Sequence, residues 1–326
     1  MENYAKIDSI VSNIDKFLSH KGFQVKFNDK FFAVGDICKK AELDWERPLN
    51  ASPATEYWQA LFYSALLQHN TTECNIVVGC PYFMLDRFSA ELPKGKHEIS
   101  LPDGTTRVIN INKIHCMPEC AAHALAFAQQ LGTHSLVISV GFGTVELGAA
   151  TSEGIIDKSL ASINYGMHQA APLFRNELRA LGFDNPSIRD DQFFYWDSLL
   201  QRVAENDPSL SLNCNDKIWE ATDLKPAAEK ALNKYSDNLV KQISSYFKKF
   251  DTKMQIIATG GGVKHKIVAN KLSEFFKSIK YNFVVANEET SLLSAAVGYQ
   301  YVAKTFYGNK AIGIDIGNHS VITILN

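Results

Sequence analysis

Residues 311–326 read AIGIDIGNHSVITILN. The apolar residues before Asp315 predict a buried β-strand that ends in this aspartate. A tight turn follows through Gly317 and Asn318, and a second strand begins at Ser320. Glycine lets backbone N–H groups approach a phosphate closely, and a carboxylate at a strand end can orient the water shell of Mg²⁺. The stretch therefore predicts a phosphate-binding hairpin, while an ordinary β-hairpin with an aspartate near its turn fits the same pattern.

Two further segments combine a buried strand with a glycine turn. Residues 138–144 read ISVGFGT, with a predicted strand partner at residues 145–150, so they have the same form as the first hairpin. Residues 256–262 read IIATGGG, and three consecutive glycines after a buried strand expose backbone N–H groups to a flat ligand. A plain hairpin and a flexible loop are the respective alternatives. The glycine spacing of the dinucleotide-binding fingerprint is absent from the sequence.

The composition is that of an ordinary soluble globular protein. The chain has 326 residues, enough for two domains, with 46% apolar and 21% charged residues and a formal net charge of −2. This charge balance gives no reason to expect direct binding to nucleic acid. No apolar run approaches the roughly 20 residues of a membrane span, and the polar N-terminus does not resemble a signal peptide. The six cysteines lack zinc spacing and are expected to be reduced thiols, so we expect a cytoplasmic protein without membrane contact.

The remaining pattern predicts alternating strands and helices. Residues 7–18 are predicted to form either a strand followed by a helix or a single helix, and residues 23–34 a hairpin. Residues 227–250 have the period of a long amphipathic helix, and residues 290–305 predict a helix rich in small residues. Residues 186–225 show no clean period. Two strand–turn–strand units with helical crossovers result, which indicates two related α/β halves.

Taken together, the three glycine turns resemble those of the actin-like ATPase superfamily. They follow one another as hairpin, hairpin and triple-glycine turn once Asn326 is joined to the start of the chain. Within the superfamily the chain most resembles the plasmid-segregation actins of the ParM/StbA type, since residues 31–36 (FFAVGD) resemble their next strand and residues 77–81 (VVGCP) their Gly-x-Pro turn. In those proteins the phosphate hairpin opens the chain, whereas here it closes it. The resemblance therefore implies an α/β, actin-like (ribonuclease H-like) two-domain ATPase fold that is circularly permuted.

The resemblance also implies a domain division, cofactors and partners. Domain I would comprise residues 1–132 and 290–326, and domain II residues 133–289, with a nucleotide cleft between them. The nucleotide would be ATP or GTP, bound with Mg²⁺. By resemblance the chain would hydrolyse ATP slowly and assemble with itself into filaments, which would move plasmid DNA through a DNA-binding adaptor protein.

The resemblance assigns roles to individual residues. Glu119, in the segment Met117-Pro118-Glu119, matches the hydrolytic glutamate that orients the attacking water, although the helix macrodipole alone would also favour a glutamate there. Asp315 matches the catalytic aspartate associated with Mg²⁺. Glu177 lies where the family contacts the ribose or base, with a solvent-facing side chain as the alternative. The implied nucleotide-binding residues are Gly317, Asn318, His319, Ser139, Gly141, Phe142, Gly143, Thr144, Glu177, Gly260, Gly261 and Gly262.

One residue departs from the family pattern. Ser139 stands where the second hairpin has an aspartate that serves the metal, and a serine brings no charge. This departure leaves open a non-hydrolysing scaffold of the pilus or division type. A small-molecule kinase of the same superfamily is the other alternative, and it needs a catalytic aspartate, for which Asp157 and Asp184 are available without a supporting motif.

Overall fold

The computed structural model of the chain forms two compact units. The described residues are 3–47, 51–132, 134–156, 158–183, 185, 188–189, 192–248, 250 and 254–325. By their internal contacts, the first unit comprises Met1–Thr133, Leu147–Ser162 and Leu293–Asn326, and the second comprises His134–Glu146 and Ile163–Leu292. The first unit thus includes Leu147–Ser162, which the sequence prediction assigns to domain II.

Strands and helices alternate along the chain. The strands are β1 (Tyr4–Asp8), β2 (Val11–Ile14), β3 (Phe23–Phe27), β4 (Lys30–Val34), β5 (Glu73–Cys80), β6 (Gly95–Ser100), β7 (Thr106–Pro118), β8 (Ser135–Val140), β9 (Val145–Thr151), β10 (Gly154–Ile155), β11 (Ala161–Ile163), β12 (Ser211–Cys214), β13 (Lys217–Glu220), β14 (Gln255–Thr259), β15 (Asn282–Val285), β16 (Ile312–Ile316) and β17 (Ser320–Ile324). The helices are α1 (Asp36–Lys40), α2 (Glu56–Leu66), α3 (Leu85–Glu91), α4 (Glu119–Leu131), α5 (Ala170–Ala180), α6 (Phe193–Ala204), α7 (Ala221–Phe247), α8 (Lys266–Ser278) and α9 (Glu288–Tyr307). None of these helices, within the described ranges, is long and apolar enough to cross a membrane.

The first unit is built on a nine-stranded sheet with the order β1-β17-β16-β5-β7-β6-β3-β4-β2. β16 runs parallel to β5, and β5 runs parallel to β7, so the carboxyl ends of these three strands lie at one edge. β17 is antiparallel to β16 on the other side, and β1 is antiparallel to β17. The backbone N–H of Leu325 donates to the carbonyl oxygen of Asn3 at 2.8 Å. Both described ends of the chain are therefore neighbours in the sheet.

Helix α2 covers this sheet with an aromatic face. The Thr55 hydroxyl caps the helix by accepting a hydrogen bond from the backbone N–H of Trp58. Trp58, Phe62 and Leu66 repeat at helical spacing and are buried, as expected for the apolar face of an amphipathic helix. Because α2 contacts both β16 and β17, the C-terminal hairpin is part of the same core.

Residues 147–162 pack against α4. A Cβ on Gly148 would lie only 2.6 Å from the carbonyl oxygen of Cys120, so the two backbones are in direct contact. The Gln129 side chain also donates from Nε2 to the carbonyl oxygen of Ser152 at 2.9 Å. These contacts explain why the segment belongs to the first unit, although it follows β8 directly in the chain.

The predicted helix in residues 7–18 is wrong. These residues are all described: residues 7–8 complete β1 and residues 11–14 form β2, and the two strands pair with β17 and β4 respectively. The prediction also found no element in residues 186–225, where the described part contains α6 and the hairpin β12–β13. The long helix α7 begins earlier than predicted because Glu220 and Asp223 form a reciprocal capping box at its N-terminus.

The second sheet has the order β10-β9-β8-β14-β15, with β11 paired to β9. β8 is buried along its whole length and runs parallel to β14, with Ser139 opposite Thr259. β14 runs parallel to β15. The two glycine turns at residues 141–144 and 260–262 therefore leave the carboxyl ends of two neighbouring parallel strands, where ligands of α/β sheets commonly bind.

Candidate functional site

Two acidic residues meet at the carboxyl edge of the first sheet. In the strand register, Ile314 lies opposite Val78, and Val78 lies opposite Cys116. Asp315 follows directly in β16, and Glu119 opens α4 directly after β7. The fold thus brings together the two residues to which the sequence resemblance assigned catalysis.

The surroundings of the Asp315 carboxyl disfavour its ionised form. Burial raises the pKa of Asp315 well above its usual range, and the carboxyl of Glu119 raises this pKa further. A divalent cation would relieve both effects, because it favours the ionised carboxylate. Within the described ranges no three His, Cys, Asp or Glu side chains form a metal cluster. Asp315 and Glu119 are two carboxylates, and one or two carboxylates beside substrate phosphates are what Mg²⁺, which keeps several waters, commonly takes from a protein.

The turn of the C-terminal hairpin is held by the connection between β1 and β2. The backbone N–H of Gly317 donates to the carbonyl oxygen of Ser320 at 3.0 Å, which closes the turn. Ser9 donates from its hydroxyl to the carbonyl oxygen of Gly317 at 2.6 Å and from its backbone N–H to that of His319 at 3.0 Å. Arg47 Nη1 lies 2.7 Å from His319 Nδ1. A guanidinium group is thus placed beside the predicted phosphate turn, which the sequence reasoning did not find.

A buried tyrosine lies against the acidic pair. Tyr299 of α9 is fully buried, and its hydroxyl has no hydrogen-bond partner among the described residues. A Cβ on Gly79 would lie 1.6 Å from this hydroxyl, so β5 admits the ring only because residue 79 is glycine. Burial, followed by the carboxyl groups of Glu119 and Asp315, raises the pKa of Tyr299 well above its ordinary value of 10, which keeps the phenol protonated. Tyr299 therefore offers a donor that a water or ligand oxygen can use.

The second hairpin turn is tied to the segment that precedes α5. The backbone N–H of Gly141 donates to the carbonyl oxygen of Thr144 at 2.9 Å. The backbone N–H of Met167 donates to the carbonyl oxygen of Gly141 at 3.0 Å, and that of His168 to the carbonyl oxygen of Phe142 at 2.9 Å. These bonds connect the turn of residues 141–144 to the segment that precedes α5.

The triple-glycine turn packs directly on β8. Gly260 has a positive φ of 88°, and a Cβ there would lie 2.5 Å from the carbonyl oxygen of Val140. A Cβ on Gly262 would lie 2.4 Å from Val140 Cγ1, whereas one on Gly261 would meet nothing within 4 Å. The outer two glycines are therefore required by packing, and Gly261 leaves open space for a ligand. The structure thus brings the predicted residues 139–144 and 260–262 together.

Glu177 has a defined environment on α5. Its carboxylate is buried and forms ion pairs with Lys230 Nζ at 2.6 Å and Lys234 Nζ at 2.5 Å, both on α7. Hydrogen bonds from Lys230 and then Lys234 lower the pKa of Glu177. The side chain is thus not the solvent-facing group that the sequence left open. The candidate kinase residues Asp157 and Asp184 lie outside the described residues.

Comparisons with known proteins agree with this architecture. A family model for the N-terminal domain of actin-like proteins matches residues 3–121, so the C-terminal hairpin lies outside the match. No curated protein matches the chain by sequence. The solved structure of Ta0583, an archaeal actin homolog, is similar with a TM-score of 0.64 at 17% identity, covering 94% of this chain and 100% of that one.

Two further solved structures of actin-like proteins are also similar. A non-polymerisable quadruple mutant of pCBH ParM has a TM-score of 0.64 at 17% identity and covers 94% of this chain and 97% of its own. The actin-like protein Alp7A has a TM-score of 0.58 at 14% identity and covers 92% of each chain. At such identities the similarity concerns the fold.

The fold is the two-domain α/β fold of actin. Residues 3–121 match the N-terminal domain of actin-like proteins, and the fold of the chain is similar to that of the ParM proteins. The predicted superfamily and fold class are confirmed, while the permutation stays a prediction.

Proposed function

We propose that the chain binds ATP with Mg²⁺, hydrolyses it slowly and assembles into filaments that segregate plasmid DNA in the cytoplasm. The observation that carries this proposal is the juxtaposition of Asp315 and Glu119 at the ends of β16 and β7. The Asp315 carboxylate can bind the Mg²⁺ ion that accompanies the phosphates, and the Glu119 carboxylate can orient a water for in-line attack. Similarity of fold to ParM proteins supports filament formation, and the adaptor that links filaments to DNA is part of the same proposal.

The chain's own groups account for the binding and positioning steps. In the first unit, the turn at residues 317–319 offers backbone N–H groups to phosphate oxygens. In the second unit, the turn at residues 141–144 offers such groups as well, and the open space at Gly261 can take the adenosine. Asp315 would hold Mg²⁺, which would supply charge neutralisation for the phosphates. Glu119 accepts a hydrogen bond from the attacking water and fixes its orientation. The archaeal homologue Ta0583 has been solved with ADP and a Bacillus thuringiensis ParM with ATP, which supports a nucleotide as the ligand.

We also infer that the chain is a circular permutant of an ordinary family member. The C-terminal hairpin β16–β17 lies between β1 and β5, in the interior of the sheet order. Leu325 and Asn3 are hydrogen-bonded neighbours, so a short turn could join them. A chain that is joined there and opened in the exposed loop at residues 308–310 should fold and bind nucleotide equally well. Failure of this rejoined chain to fold would count against the inference.

The test combines assembly with hydrolysis. Light scattering of the purified protein with Mg²⁺, at rising protein concentration, should increase with ATP above a critical concentration and stay flat without nucleotide. Phosphate release should accompany this rise in scattering. Glu119→Gln should slow phosphate release on the order of 10²- to 10⁴-fold while nucleotide binding persists. Glu98 is an exposed glutamate on β6, and Glu98→Gln is the matched control. It should change neither the light scattering nor the rate of phosphate release. A flat trace with ATP and with GTP would refute filament formation.

A non-hydrolysing scaffold is the second candidate, and Ser139 favours it. This residue is buried and uncharged in β8, where the family resemblance expects a metal-serving aspartate. Assembly that depends on ATP but proceeds without phosphate release would support the scaffold and would refute the ATPase. If the missing carboxylate is the reason why phosphate is not released, Ser139→Asp should increase phosphate release.

A further inference from the structure

His123 lies one helical turn after Glu119 and faces it. The two residues are four apart in α4, so their side chains share one face of the helix. His123 Nε2 lies 3.6 Å from Glu119 Oε1, and its Nδ1 lies 2.7 Å from the Ser294 hydroxyl of α9. The ring is buried, and Nε2 has no hydrogen-bond partner among the described residues. A buried ring nitrogen of this kind requires a partner, and the Glu119 carboxylate is the group in front of it.

The chemistry of the three groups selects one tautomer. A carboxylate only accepts hydrogen bonds, so the ring can be attracted to Glu119 only if Nε2 carries the proton. Nδ1 is then the acceptor of a hydrogen bond that the Ser294 hydroxyl donates. The arrangement is then a chain of hydrogen-bond donors from Ser294 through His123 to Glu119.

Helix packing holds this chain in place. A Cβ on Gly298 would lie 2.1 Å from the carbonyl oxygen of Ala122, so α9 and α4 are in backbone contact one turn away from Ser294 and His123. Contact this close allows little sliding of one helix on the other. Ser294 is therefore fixed relative to the His123 ring, and the ring is fixed relative to Glu119.

We propose that His123 is a positioning residue that orients the Glu119 carboxylate toward the attacking water, with Ser294 orienting His123 in turn. This proposal rests on the proposed ATPase function of Glu119. The separation of 3.6 Å is longer than a hydrogen bond, and such contacts commonly tighten when substrate binds. With one carboxylate oxygen held by His123, the other is left to accept from the water, which is the logic of a base oriented by a third group.

The experiment compares two replacements at one position. His123→Gln keeps an N–H donor near the position of Nε2, and His123→Met fills the space without a donor. His123→Met should lower kcat for ATP on the order of 10- to 100-fold with KM unchanged, because misorientation affects the water and not the nucleotide. His123→Gln should retain most of the rate, and the affinity for a fluorescent ADP analogue should be the same in all three proteins.

His97 provides the matched control. Its Nδ1 lies 2.9 Å from the Tyr63 hydroxyl and its Nε2 is likewise without a partner among the described residues, but it lies on β6. His97→Met should leave kcat unchanged. Equal rates for His123→Met, His123→Gln and the unaltered protein would overturn the proposal, and so would equal losses in His123→Met and His97→Met.

A second readout does not depend on hydrolysis. The urea midpoints of the nucleotide-free protein, Glu119→Ala, His123→Met and the double variant form a cycle that measures whether the two side chains interact. If the stability losses of the two single variants do not sum to that of the double variant, the contact is supported. Strictly additive losses overturn it. If the unaltered protein releases no phosphate, the ATPase proposal fails, while this cycle still decides whether His123 holds Glu119.

Discussion

Protonation of His69 is expected to loosen the C-terminal hairpin. Its Nε2 lies 2.7 Å from the Thr323 hydroxyl in β17, and that hydroxyl donates to the carbonyl oxygen of Gly313 in β16 at 3.1 Å. Because the hydroxyl has one proton, it must accept from His69, which therefore carries a proton on Nε2. Burial lowers the pKa of His69 from its ordinary 6.5 to about 4. The fold thus favours the neutral ring.

The magnitude follows from proton linkage. Since the folded pKa lies below the unfolded one, this contribution to stability is complete above pH 6.5 and is lost as the pH falls toward 4. The difference between 6.5 and about 4, at about 1.36 kcal/mol per pH unit, corresponds to a total loss of about 3 kcal/mol. About 2 kcal/mol of this loss should occur between pH 7 and pH 4.5.

The assay is urea unfolding of the unaltered protein and of His69→Gln at these two pH values. Glutamine keeps an N–H donor for Thr323 but does not titrate. The unaltered protein should lose about 2 kcal/mol more unfolding free energy than the variant on acidification. His97 and His265, whose pKa values burial also lowers, are present in both proteins and cancel in the comparison. Equal pH dependence of the two proteins would refute the reasoning.

Three further predictions test the site. Gly79→Ala should destabilise the protein by roughly 3 kcal/mol in urea unfolding, because its Cβ meets the Tyr299 hydroxyl; adding Tyr299→Leu should recover part of this loss, and an unchanged midpoint in the single variant would contradict the packing. Gly260→Ala should cost at least about 1 kcal/mol, whereas Gly261→Ala should stay within about 0.5 kcal/mol yet weaken nucleotide binding; equal stabilities would contradict the assignment of open space. Hydrogen exchange of residues 311–326 should slow when ATP is added with Mg²⁺, and an unchanged exchange rate would argue against nucleotide binding by this hairpin.

Local signals were sufficient for the glycine turns. A buried strand followed by glycine is a feature of a few consecutive residues, so the turns at residues 141–144, 260–262 and 317–319 were identified correctly as turns. The prediction failed in residues 7–18, where the apolar spacing is compatible with a helix but pairing with β17 and β4 selects strands. It also failed at β12–β13, whose four-residue strands are too short to show a period.

The positions of His123 and Tyr299 were not predictable in the same way. The spacing of Glu119 and His123 in α4 was visible as a pair four residues apart, but a helix face carries many such pairs. Tyr299 is separated from Gly79 by most of the chain, and only the packing of α9 on β5 brings its hydroxyl to the acidic pair.

The sequence by itself determined the class of this protein, because strand periodicity and glycine turns are local and survive any order in which the elements are connected. Only the tertiary structure decided which groups meet. The strand register places Asp315 beside the end of β7, and the contact of Gly298 with Ala122 sets Ser294 against His123. Such contacts join residues far apart in the chain, and they depend on the shapes of packed backbones rather than on any local preference.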